Sequence, residues 1–278
     1  MDIIINAAKP CSFNCKNCYL KFNDFAKIND VLNLTELNKE FRQFIDTLPT
    51  DEEHTIHYFY MEINKHSSKY LIDFNHLVLD MFRYTKLKKI PAHMSMKYAD
   101  NSSINNSMFI YECEQQPFDA LEISMGIDEH LIHDPIKIPI MNYAKRLILN
   151  FTVTNKMVES GSLADVNRML NSIYDTAKIF RIIFGKPISM RIGLEKPYTI
   201  SKELRHAVAA TIFNMQTEIN TPEMFDSMYN VMCMTNDLIL NDACQGVMAL
   251  TPDYDRFILS RCPYQLTVNS CKDCGFLK

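Results

Sequence analysis

The stretch Asp2-Ile3-Ile4-Ile5-Asn6-Ala7-Ala8-Lys9-Pro10-Cys11-Ser12-Phe13-Asn14-Cys15-Lys16-Asn17-Cys18-Tyr19-Leu20 decides how the rest of the chain is read. Its first part is a short β-branched run that ends toward Asn and Pro, the composition of a strand running into a loop. Its second part sets three cysteines at the spacing C-x3-C-x2-C. Three thiolates this close can converge on one metal centre. A structural zinc site wants a fourth Cys or His, so the trio does not complete one. A cubane iron–sulfur cluster held by three cysteines leaves one iron open to another ligand, which points to chemistry more than to structure. Two plainer readings stand beside it: zinc completed by a distant residue, and cysteines that are simply buried.

Outward from this stretch, strand-like apolar runs alternate with helix-like stretches, the pattern of repeated βα units. Strands are predicted at 3–7, 57–61, 89–96, 121–125, 147–153 and 188–192. Helices are predicted at 35–47, 69–84, 163–180 and 201–215. Leu37, Phe41 and Phe44 or Ile45 have helical spacing in the first helix, and Leu71, Phe74, Leu77, Val78 and Met81 give the second an apolar face. In the third, Val166, Met169, Leu170, Ile173 and Ile179 are available for burial. Six such units predict an α/β fold, a partial (β/α)6 barrel over residues 1–220, with its chemistry at the C-terminal ends of the strands. A small extension over residues 221–278 carries a β-hairpin and a cysteine cluster.

Composition limits the function classes. The chain has 278 residues, 47% hydrophobic and 22% charged, which suits a packed core and argues against disorder. No apolar run is long enough to span a bilayer, so no membrane partner is expected. The start, Met1-Asp2-Ile3-Ile4-Ile5-Asn6, does not read as a signal peptide, so the expected location is cytoplasmic. In that compartment nine cysteines are better explained by metal binding than by disulfides. A net charge of −4 argues against broad binding to a phosphate backbone. The many Asn, Ile and Lys residues match coding in an AT-rich genome, such as that of a virus or a low-GC bacterium. With only six glycines, neither a P-loop nor a dinucleotide fingerprint is present.

Four more cysteines, Cys244, Cys262, Cys271 and Cys274, gather at the other end. The first two flank an apolar run, the turn signal Pro252-Asp253 and a second apolar run, which together predict a hairpin. A cysteine before it, one after it and a closing C-x2-C can converge on a tetrahedral centre. Spacing leaves both an auxiliary [4Fe–4S] cluster and four-thiolate zinc open. Cys113 and Cys233 have no close partner and read as buried apolar residues. His130 and His133 read as loop residues.

The N-terminal trio, placed after the first strand, resembles the radical S-adenosylmethionine (SAM) superfamily. The resemblance implies a [4Fe–4S] cluster on Cys11, Cys15 and Cys18 whose open iron chelates SAM. It also implies reductive cleavage of SAM to a 5′-deoxyadenosyl radical that takes a hydrogen from a substrate. Where family members carry Gly-Gly-Glu after the second strand, this chain reads Tyr60-Met61-Glu62. Glu62 then stands as the carboxylate for the SAM ammonium. Leu121-Glu122-Ile123-Ser124-Met125-Gly126 resembles another family strand and nominates Ser124. The fifth strand nominates Asn155 and the sixth Arg191. Asn17 holds the place of the family's adenine-contacting aromatic, which passes that role to Phe13 or Tyr19. The C-terminal cysteines resemble the short auxiliary-cluster domain called twitch, a reduced SPASM extension, without its usual glycine before the second cysteine.

By resemblance the partners are a flavodoxin- or ferredoxin-like electron donor and a substrate. A peptide or protein side chain is the first substrate class. A nucleotide or nucleic-acid base is the second, and a base in a duplex would have to be flipped out. A metal-stabilised binding module without SAM turnover is the non-enzymatic reading.

Overall fold

The computed structural model describes residues 1–5, 31–59, 69–97, 111, 114–125, 139–194, 200–219 and 247–260. Eight strands form one sheet: β1 (Asp2–Ile5), β2 (Thr55–Phe59), β3 (Ala92–Lys97), β4 (Ala120–Met125), β5 (Leu147–Val153), β6 (Ile188–Leu194), β7 (Val247–Asp253) and β8 (Arg256–Ser260). Their spatial order is β6-β5-β4-β3-β2-β1-β7-β8. All neighbours pair in parallel except β7 and β8. Among the described residues five α-helices accompany them: α1 (Leu34–Asp46), α2 (Lys69–Leu87), α3 (Asn155–Ser160), α4 (Leu163–Phe184) and α5 (Lys202–Ile219), with a short 3-10 turn at Pro139–Tyr143. This is an α/β fold built on a mostly parallel sheet.

Register explains which residues meet. Ile5, Tyr58, Met94, Leu121 and Leu147 form one row across the strands, and Ile123, Leu149 and Met190 form another. These side chains are all buried. They join one core cluster with Leu37, Phe41 and Ile45 of α1, with Phe74, Leu77, Val78 and Met81 of α2, and with Val166, Leu170, Ile173 and Phe180 of α4. Successive strand residues point to opposite faces, so this cluster occupies one face of the sheet. Each helix contributes the residues that its 3.6-residue period aligns.

The helix ends follow local chemistry. Asn33 caps α1, its side chain accepting from the Glu36 N–H at 3.4 Å. Ser162 and Asp165 form a reciprocal capping box at the start of α4. Gly185 ends α4 in the left-handed region at φ 60°, where a Cβ would be strained.

Several expectations shift in detail. The third strand begins at Ala92, three residues late, because Lys89 adopts φ 58° and its N–H closes back on Lys86. Ile179 is 53% exposed, and Phe180 fills the core position instead. The hairpin turns at Tyr254-Asp255, with Tyr254 at φ 54°, so Pro252 and Asp253 lie inside β7. Pro252 is tolerated there because its pairing with β1 has already ended at Leu250. The hairpin also continues the main sheet, with β7 beside β1. At the outer edge of β8, the Glu40 carboxylate of α1 accepts from the Phe257 N–H at 2.8 Å. An otherwise open edge group is thereby satisfied.

At the N-terminal edge, Asp119 accepts from Lys145 Nζ at 2.7 Å, from the Ala92 N–H at 2.9 Å and from Lys86 Nζ at 3.1 Å. Burial alone would raise its pKa. The lysines and the amide outweigh burial and hold the carboxyl below its ordinary value.

Candidate functional site

The second face of the sheet has a different character. A sheet covered by helices on both faces reads as continuous apolar strands. Here every second residue of several strands is polar. His57 lies between Ile56 and Tyr58, His93 between Ala92 and Met94, Glu122 between Leu121 and Ile123, and Asn150 between Leu149 and Phe151.

Register sorts these positions into rows. Near the N-terminal edge, Ile4, His57, His93 and Ala120 align. Above them come Ser95, Glu122, Ile148 and Ser189. Nearer the C-terminal edge, the backbone of Ser124 is level with Asn150 and Arg191. Asn150 Nδ2 donates to Glu122 Oε1 at 3.1 Å, tying two rows together. Ser95 and Ser189 are buried, as is Thr251 of β7, whose hydroxyl has no partner among the described residues.

The histidine row meets Asp2, which lies level with Thr55 one row nearer the N-terminal edge. His57 Nε2 lies 3.3 Å from Asp2 Oδ1. The His57 and His93 rings meet edge to face at 4.8 Å and 85°. The neighbouring His57 holds the Asp2 carboxyl below its ordinary value. Partial burial opposes this, and the charges of the terminal amine and His93 add to it. His57 and His93 are not among the residues nominated from the motifs. The signal was available, since each stands alone between two core residues of a strand.

Asn155 is the first residue of α3, beyond the end of β5, and it is 7% exposed. Thr154 caps that helix through a bond from the Met157 N–H at 3.3 Å. The other nominated positions, Cys11, Cys15, Cys18, Phe13, Tyr19, Glu62, Cys244, Cys262, Cys271 and Cys274, lie outside the described residues, as do Cys113, His130, His133 and Cys233. Among the described residues no group of three His, Cys, Asp or Glu could hold a metal ion, and no helix is long and apolar enough to cross a membrane.

The strands that precede and follow those positions are described. β1 ends at Ile5 and β2 at Phe59, on the edge where all six of the first strands end. β7 starts beside Asp2 on the opposite edge, and β8 returns to it, with Ser260 paired to Ala249.

No family model and no curated protein matches the sequence. Among solved structures the chain is similar to native anSMEcpe with AdoMet bound, at a TM-score of 0.46 and 12% identity over 78% of this chain. The hexahistidine-tagged form of that protein, also with AdoMet bound, gives a TM-score of 0.45 at the same identity and coverage. The chain spans 61% and 60% of those two proteins, and a likeness of this depth assigns no chemistry to it.

Proposed function

We propose that this chain is a radical SAM enzyme whose sheet curls into a partial (β/α)6 barrel around the polar face. The observation that carries the reading is the C-x3-C-x2-C motif in the sequence that follows β1, a strand whose end at Ile5 lies on the edge where six parallel strands end. Such edges are where loops bring reactive groups together in sheets of this kind.

The donor set suits the cofactor. Three thiolates, Cys11, Cys15 and Cys18, would hold three irons of a [4Fe–4S] cluster and leave the fourth open to SAM. When bound, such a cluster would supply the electron for reductive cleavage of SAM. Glu62, three residues past Phe59, accepts from the SAM ammonium. Ser124, Asn155 and Arg191 hold its carboxylate and ribose, and Phe13 or Tyr19 stacks on adenine. The polar face orients the substrate, while the packed core behind it keeps the strands rigid. The substrate is a peptide or protein side chain, and a flavodoxin- or ferredoxin-like protein delivers the electron. Cys244, Cys262, Cys271 and Cys274 hold a second [4Fe–4S] cluster in a twitch-like extension.

Anaerobic reconstitution tests this directly. Two four-iron clusters require about eight irons per chain, and dithionite with SAM should yield 5′-deoxyadenosine. Cys15→Ala should abolish that product. Stoichiometric zinc without SAM cleavage would refute the enzyme, and about four irons would remove the auxiliary cluster alone.

A further inference from the structure

We infer that Thr251 is a contact residue for the cofactor assembly, its hydroxyl donating a hydrogen bond to an anionic acceptor there: a cluster sulfur or the SAM carboxylate. Thr251 is 1% exposed, and its Oγ1 is buried without a hydrogen-bond partner among the described residues. Buried hydroxyls are ordinarily paired. One left alone marks a place where a group from outside the chain completes the bond.

Register places that hydroxyl. Leu250 is level with Ile5 of β1, and through it with Tyr58, Met94 and Leu121, and its side chain joins the core cluster. Thr251 stands one residue further toward the C-terminal edge. By alternation it points to the polar face, in the row of Ser95, Glu122 and Ser189. β7 pairs directly with β1, the strand whose sequence runs on to Cys11, Cys15 and Cys18.

The side chains beside Thr251 offer no acceptor. Ala249, two residues back on the same face, and Ile258, its pairing partner on β8, are both apolar. Apolar surroundings strengthen a hydrogen bond once it is made and raise the cost of leaving it unmade. A strand asks only for the β-branched shape at this position, which valine has without the hydroxyl. The inference rests on the preceding reading, which supplies the acceptor. The bond itself transfers no electron and breaks no covalent bond.

Thr251→Val keeps the shape and removes the donor. In cluster-free protein, urea denaturation should find the variant at least as stable as wild type, because no bond is lost and an unmet hydroxyl is removed. In reconstituted protein the two acceptors separate. A lower reduction potential for the cluster whose EPR signal SAM perturbs, titrated before SAM is added, assigns the bond to a cluster sulfur. An unchanged potential with a SAM dissociation constant raised about tenfold in equilibrium dialysis assigns it to the SAM carboxylate. Thr251→Ser keeps the hydroxyl and should restore whichever value moved. A cluster-free Thr251→Val less stable than wild type overturns the inference, since the hydroxyl then has a partner in the chain or a fixed water. So does a variant whose potential and SAM affinity both match wild type. Wild type that takes up no iron defeats the radical SAM reading and this inference with it, whereas an unaltered variant of a protein that binds cluster and SAM defeats the assignment of Thr251 alone.

Discussion

In one register row Ile5, Tyr58, Met94 and Leu121 face the helices and are fully buried. One residue earlier along the same strands, Ile4, His57, His93 and Ala120 face the other way. The two rows share a backbone and differ only in which side of the pleat they occupy. The first behaves as an interior, where Tyr58 can keep its hydroxyl only by bonding to Thr85 and burial pushes the phenol well above its ordinary pKa. The second carries two imidazoles, and further along the same face lie the buried hydroxyls of Ser95 and Ser189 and the Glu122–Asn150 pair. A helix layer packs on one face and the polar side chains gather on the other, so the two kinds of side chain are separated by a single step along each strand.

The largest test of that separation lies on the helix side. Phe82 is 1% exposed, meets Phe118 at 4.2 Å between ring centres and stands edge to face with Tyr58. Phe82→Ala should cost about 3–5 kcal/mol, because the cavity adds to the lost burial. Urea denaturation measures it. A loss under ~1 kcal/mol would mean that this face is not the interior that holds the sheet.

A smaller effect belongs to the N-terminal edge, where Asp119 ties the end of α2 to the starts of β3 and β4. Asp119→Asn should cost about 1–2 kcal/mol near neutral pH, since two lysines and an amide lose a charged acceptor. The sign with pH follows from the lowered pKa. Folding favours the ionised carboxyl, so its contribution is complete above the ordinary carboxyl range. It fades as pH falls through the folded value. The gap between wild type and variant should therefore close below about pH 4. A gap that is constant from pH 7 to pH 3 would show that geometry, rather than charge, holds this corner.

Much of the fold could be read from period alone. β5 runs over the predicted residues, and α1, α2 and α4 begin within one residue of expectation, because strong apolar periods and caps set them. The misplacements have local causes. At Lys89 a left-handed residue ended the helix where composition read as strand, and at Tyr254 a positive φ took the turn away from Pro252. The place of the hairpin beside β1 was not legible, since pairing between distant strands leaves no local signature. His57 and His93 stand singly inside strands, and a lone histidine in a strand carries no spacing signal of the kind the cysteines carry.

The gentlest probe separates the faces most cleanly. Asn150 is only half-buried, and its bond to Glu122 is one polar contact on the polar face. Asn150→Ala should cost about 1 kcal/mol or less, because water can replace an amide at such a site. By the reading above it should disturb function far more than stability, weakening SAM-dependent formation of 5′-deoxyadenosine while the denaturation midpoint hardly moves. If the variant instead loses as much stability as Phe82→Ala, Asn150 belongs to a second structural core. The polar face would then be a sealed interior with no room for substrate, and the division of labour between the two faces would fail where the register makes it sharpest.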